Sequence, residues 1–234
     1  MSLVIVAHGT RDPAGAQVAA QLTDAVRAAL GGVRVELAFA DVRGPTVAEV
    51  LAELPGPVVV LPAFLAAGYH VRVDLPEQLA DFPDAVLAAP LGPARAMVAA
   101  VHDRLVEAGY RRGDRVVLAA AGSSDPLALA DVRHAALRLS ARLDTEVHIG
   151  YCATAEPRLP QAIAQLPGRV AVASWLLAPG LFHRAAAESG ADVVSAPIGA
   201  HPLVVDLIVR RYRSTGAAPH NGSRSLPAGF PSTG

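Results

Sequence analysis

Short apolar runs rich in Val and Leu alternate along the chain with longer Ala-rich stretches that carry regular polar interruptions. The runs predict strands near residues 3–7, 33–39, 57–62 and 85–88, and the stretches between them predict helices near 13–30, 47–54, 75–81 and 93–108. Strand, crossover helix and strand in succession is the pattern of a parallel sheet. Local signals mark the helix starts. Asp12-Pro13 places a capping side chain ahead of a proline at the first helical position, and both Thr46-Val47-Ala48-Glu49 and Asp74-Leu75-Pro76-Glu77 read as capping boxes.

The second half repeats the first. His8-Gly9-Thr10-Arg11-Asp12-Pro13 aligns with Ala121-Gly122-Ser123-Ser124-Asp125-Pro126 at an offset of 113, and Val35-Glu36-Leu37-Ala38-Phe39 with Val147-His148-Ile149-Gly150-Tyr151 at an offset of 112. Residues 57–68 match 169–180 in strand, turn and glycine. The expected fold class is therefore α/β: two similar doubly wound parallel-sheet halves with a cleft between them. Residues 1–112 form the half carrying the active site and 113–213 a structural repeat, joined near 111–114. From residue 214 the chain turns to Ser, Gly, Pro and Asn, too poor in large apolar side chains to offset chain entropy. A disordered tail is expected over 214–234, with His220 a solvated bystander.

Formal net charge is -1, with no long run of one sign, so the electrostatic footprint of a protein that grips nucleic acid or an anionic membrane is missing. A small ligand is the better expectation. The lone cysteine, Cys152, excludes an intrachain disulfide and a four-cysteine cluster within one chain, in keeping with a reducing cytoplasm. Residues 1–7 are apolar but lack a basic leader, and the apolar stretch 57–69 falls short of the roughly 20 residues of a membrane helix. A soluble, monomeric cytoplasmic protein is expected.

Ligands of open parallel sheets bind beyond the carboxyl ends of the strands. His8 follows the first predicted strand, Asp41 the second and His70 the third. Two imidazoles and a carboxylate suit a first-row divalent ion and leave coordination positions open for exchange. The repeat acts as an internal control: Ala121 stands for His8 and Ala153 for Asp41, while His70 falls opposite Phe182, or opposite His183 after a one-residue shift. Residues needed only for folding would be kept in both copies. The competing structural readings make Asp41 an Asx-turn residue, Arg11 a surface charge, Tyr69-His70 a packing pair at a helix entrance, and Asp74 a helix cap in preference to a partner of the site. His102 and His134 fall on predicted helices, His148 on a strand and His201 at a helix start, and none is assigned catalysis.

Ala7-His8-Gly9-Thr10-Arg11 resembles the His-Gly-Ser-Arg opening of class II tetrapyrrole chelatases of the CbiX type, and the run from Pro62 through Tyr69-His70 to Pro76 is similar to that family's second signature. The duplicated architecture resembles the long, single-chain form. The resemblance implies a sirohydrochlorin chelatase, a lyase that inserts Fe²⁺ or Co²⁺ as a substrate into a sirohydrochlorin-type tetrapyrrole for siroheme or cobalamin, with no tightly bound cofactor. It implies His8 and His70 as catalytic residues, His8 as the leading metal ligand and His70 as ligand or base, with Asp41 at the family's acidic metal position, usually glutamate. Aspartate is one methylene shorter, so either the metal sits closer to the second strand or the carboxylate acts through water. Thr10, Arg11, Gly68, Tyr69 and Arg72 would bind the tetrapyrrole, whose carboxylates need cationic or backbone N–H partners such as the helix start after Asp12. Two other functions use the same residues: a metal or tetrapyrrole carrier without enzymatic activity, and a histidine-dependent phosphoryl-transfer enzyme. Against the latter, Ala7 precedes the His-Gly pair where histidine phosphatases resemble Arg-His-Gly, and no phosphate-cradling glycine motif is present.

Overall fold

The structure is a computed structural model that describes residues 1–216; residues 217–234 of the expected tail, with His220, lie outside the described residues. The first half runs β1 (Ser2–Ala7), α1 (Pro13–Leu30), β2 (Val35–Phe39), α2 (Val47–Ala52), β3 (Val58–Pro62), a widened π-helical turn (His70–Asp74), α3 (Leu75–Leu79), β4 (Ala85–Leu87) and α4 (Arg95–Glu107). The second runs β5 (Arg115–Ala120), α5 (Pro126–Leu143), β6 (Val147–Tyr151), α6 (Leu159–Ala164), β7 (Val170–Trp175), α7 (Leu181–Ala187), β8 (Val193–Val194) and α8 (Pro202–Gly216). Residues 214–216 thus close a helix and do not begin the tail.

Two four-stranded parallel sheets result, ordered β2-β1-β3-β4 and β6-β5-β7-β8. The same register appears in both: Leu3 pairs with Val35 and, 113 and 112 residues on, Val116 pairs with Val147. The repeat extends to single atoms. Asp12 Oδ1 caps α1 by accepting from Ala14 N at 3.0 Å, and Asp125 Oδ1 caps α5 by accepting from Leu127 N at 2.9 Å. Gly9 and Gly122 take φ of +98° and +97°, and a Cβ on either would stand 1.9 Å from a carbonyl oxygen, of Asp41 and Ala153 respectively. Glycine is required there in both copies because neither the backbone angle nor the space admits a side chain.

Alternation along the strands sorts the apolar residues. Leu3 and Ile5 of β1 face the main interior, while Val4 and Val6 face a smaller core beneath α2 and α3. The main interior is common to both sheets, since Leu61 of β3, Leu118 of β5, Met97 of α4 and Ile208 of α8 all belong to it. The last helix of each half crosses over: α4 packs on β7, and α8 packs on β3, α1 and α4. The sheets divide near residue 112; the interior does not.

Candidate active site

Strand order decides which loops meet. In the order β2-β1-β3-β4 the chain leaves β1 toward β2 and then crosses to β3 on the other side, so a crevice opens between the carboxyl ends of β1 and β3. His8 is the first residue after β1, and His70 follows the loop after β3. Their ring centres lie 4.9 Å apart with the planes at 87°, and the Phe64 ring packs 5.8 Å from His8 and 6.5 Å from His70. With metal–nitrogen bonds of about 2.1 Å, two imidazoles on one ion at about 90–110° have ring centres roughly 4.5–5.3 Å apart. The observed spacing falls in that interval.

Asp41 does not join them. It follows β2, which flanks β1 on the side away from β3, and its Oδ1 accepts from the Val42 backbone N–H at 2.6 Å. Its own N–H donates to the His8 carbonyl at 3.0 Å, a contact that Ala153 reproduces with Ala121 at 2.8 Å without any carboxylate. The expected three-ligand set is therefore not assembled: among the described residues no group of three His, Cys, Asp or Glu side chains could hold a metal ion. The short side chain closes on the N–H of the next residue, one position short of the i+2 contact of an Asx-turn.

Asp74 departs from expectation in the opposite direction. The capping box predicted at Asp74 does not form, because the backbone there is already helical (φ -61°, ψ -46°) and the side chain makes no cap bond. Its Oδ2 instead lies 2.5 Å from His70 Nδ1. The other predicted box is present, Thr46 and Glu49 each bonding the other's backbone.

A cavity of about 720 Å³ lies above the two histidines, within the usual range for small-molecule sites. Thr10, Gly68 and Tyr69 line it; Arg11 and Arg72 do not, and among the described residues no arginine or lysine lines it. The facing wall comes from the second half, through Ala121, Gly122, Trp175 and Phe182 among others. Tyr69, Leu181 and Phe182 stand at its rim 61%, 69% and 37% exposed, an apolar edge that bulk water does not favour.

Beside the cavity, two ion pairs join the halves reciprocally. Arg72 pairs with Asp125, the cap of α5, and Arg184 pairs with Asp12, the cap of α1. Arg72 also donates from Nε to the Ala67 carbonyl at 2.9 Å, and Ala67 N–H donates to Asp131 of α5 at 2.8 Å. Arg72 is therefore engaged across the cleft, not held free. The sequence pattern marks Asp125 only as the counterpart of Asp12 and gives Arg184 and Asp131 no role, although the repeat offsets that relate Asp12 to Asp125 also relate Arg72 to Arg184.

The Arg184 hydrogen bond, followed by that of the Ala14 N–H, lowers the Asp12 pKa; for Asp125 the Leu127 N–H acts first and Arg72 after it. A depressed folded-state pKa contributes stability above the unfolded carboxylate value, about 3.9, and that contribution is lost as pH falls through the folded value. The double variant Asp12→Asn, Asp125→Asn, which keeps both caps, is expected to show a flatter loss of stability below about pH 4. Denaturant midpoints measured across the acid range check this, and parallel curves for variant and parent would contradict it.

A family model described as CbiX matches the chain twice, over residues 2–108 and 115–215. A sirohydrochlorin cobaltochelatase of Methanopyrus kandleri is 32% identical over 88 residues, 36% of this chain, and the chain spans only 62% of that relative's length. Among solved structures, SirB from Bacillus subtilis with Fe³⁺ superposes with a TM-score of 0.78 at 24% identity, covering 92% of this chain and 95% of that one. The sirohydrochlorin chelatase SirB from Bacillus subtilis subspecies spizizenii, in complex with cobalt, gives 0.77 at 24% identity, covering 93% and 96%. At these identities the two superpositions establish the two-sheet fold. The double match of the family model, once per sheet, goes further: this chain is a member of the CbiX family.

Proposed function

We propose that this chain is a sirohydrochlorin chelatase, inserting Fe²⁺ or Co²⁺ into a sirohydrochlorin-type tetrapyrrole in siroheme or cobalamin biosynthesis. The observation that carries the reading is the pair His8 and His70, set 4.9 Å apart on one wall of a largely apolar cavity. A flat macrocycle fits between that wall and the apolar one opposite. Its carboxylates would turn toward the rim, with Arg11 and Arg72 as the candidate cations outside the lining; Arg72 would have to exchange its bond to Asp125 for one to the substrate. The incoming ion exchanges water for imidazole nitrogen and then for the pyrrole nitrogens, two of which lose their protons. His8 serves as the leading ligand and His70 as ligand or proton acceptor, since imidazole does either near neutral pH. Two protein ligands leave most coordination positions open, as delivery to the ring requires.

Both walls come from one chain, so the site needs no second copy, and we read the protein as a monomer whose metal ion enters as a substrate. Among the described residues no helix is long and apolar enough to cross a membrane. A cytoplasmic enzyme that engages neither membrane nor nucleic acid is the reading we adopt. Phosphoryl transfer is disfavoured because, among the described residues, the cavity lining has no lysine or arginine, and a transferring phosphoryl group needs cations. Purified protein incubated with sirohydrochlorin and either ion should accelerate the absorbance change of metallation over the protein-free rate, with multiple turnovers. Stoichiometric binding without acceleration would replace this proposal with the carrier reading.

A further inference from the structure

Among the described residues, the contact between His70 and Asp74 has no counterpart in the second half. His70 opens the π-helical turn, in which Leu75 N–H reaches back to the His70 carbonyl, five residues instead of four. Such widened turns cost local regularity and recur where a side chain must be aimed. Here the turn leaves the Asp74 carboxylate unused by the backbone and sets it 2.5 Å from His70 Nδ1, with the two side chains only 39% and 28% exposed. In the second half either register puts an alanine in its place, Ala186 or Ala187. The imidazole there, His183, is held through its other nitrogen: Nε2 lies 3.2 Å from the Ser195 carbonyl oxygen.

We infer that Asp74 is a positioning residue that fixes the tautomer of His70, holding the proton on Nδ1 so that Nε2 is the lone-pair nitrogen offered to the cavity. The inference rests on the chelatase reading, in which His70 is ligand or proton acceptor, because both roles need an unprotonated ring nitrogen facing the ion or the ring. A carboxylate accepts only, so a neutral imidazole bonded to it must donate. A carboxylate behind a ligating histidine fixes both tautomer and ring orientation. His183 shows what its absence leaves: a ring anchored by the nitrogen that His70 keeps free.

Long-range ¹H–¹⁵N spectra of metal-free protein in slightly alkaline buffer, with the His70 signals assigned by their loss in His70→Ala, read the tautomer directly. The wild-type ring is expected to carry its proton on Nδ1, Asp74→Ala to move it to Nε2, and Asp74→Asn, whose amide oxygen still accepts, to keep it on Nδ1. Co²⁺ affinity should fall about 10- to 100-fold in Asp74→Ala and largely recover in Asp74→Asn. A wild-type ring protonated on Nε2 overturns the inference without any variant, and so does an Asp74→Ala protein with unchanged tautomer or unchanged Co²⁺ affinity. Failure of the chelatase reading looks different: no metallation by the wild type, with the His70 tautomer still on Nδ1.

Discussion

His70→Ala and His8→Ala should each lower the rate of metal insertion by about 100-fold or more, the scale of losing a positioned proton acceptor or a ligand of the reacting ion. Neither change should unfold the protein. Both residues lie at the cavity beyond the strand ends, outside the buried clusters that hold the sheets, so far-UV circular dichroism and the melting midpoint should stay close to the parent's. Asp41→Asn should weaken Co²⁺ binding less than either histidine change, because its carboxylate is occupied by the Val42 N–H, which an amide oxygen also satisfies. Turnover near the parent's in folded His70→Ala would remove it from the site, and a larger loss in Asp41→Asn than in the histidine variants would restore the three-ligand set.

Ile208→Ala is expected to have the largest effect on stability. Ile208 is fully buried on α8, which belongs by sequence to the second half yet packs on β3 and α1 of the first. Truncating a large aliphatic side chain in a close-packed core costs about 2–5 kcal/mol, the lost transfer energy plus that of the cavity left behind. For a chain of this size that lowers the melting midpoint by roughly 4–20 °C. The manner of the loss is the sharper test. Trp175, the chain's one tryptophan, is 3% exposed at the end of β7 and reports on the second half, while circular dichroism reports on both. Because the two sheets share an interior, both signals should move together in a single transition. A transition that splits in two, with only one part shifted by Ile208→Ala, would show two independent halves.

Much of this protein was legible without its structure, because the determining interactions are local. A valine-rich run buried on both faces is a strand wherever it falls, and Asp12-Pro13 or Thr46 with Glu49 mark helix starts through contacts within four residues. The repeat then placed the glycines of the turns after β1 and β5 and put His8 and His70 at strand ends. The order of strands was another matter. That β1 lies between β2 and β3 is settled by which sheet faces can be buried together, and it is this order that brings His70 to His8 and leaves Asp41 outside the crevice. The local spacing at Asp74 fits a cap, but the π-helical turn ahead of it removes the helix start and turns the carboxylate to His70. Likewise the exchange of α4 and α8 between the sheets, and the pairing of Arg72 with Asp125 and Arg184 with Asp12, join residues 53 to 172 positions apart. No window of sequence contains both members of such a pair. The elements were set by neighbours along the chain, and the site was set by which of those elements could pack side by side.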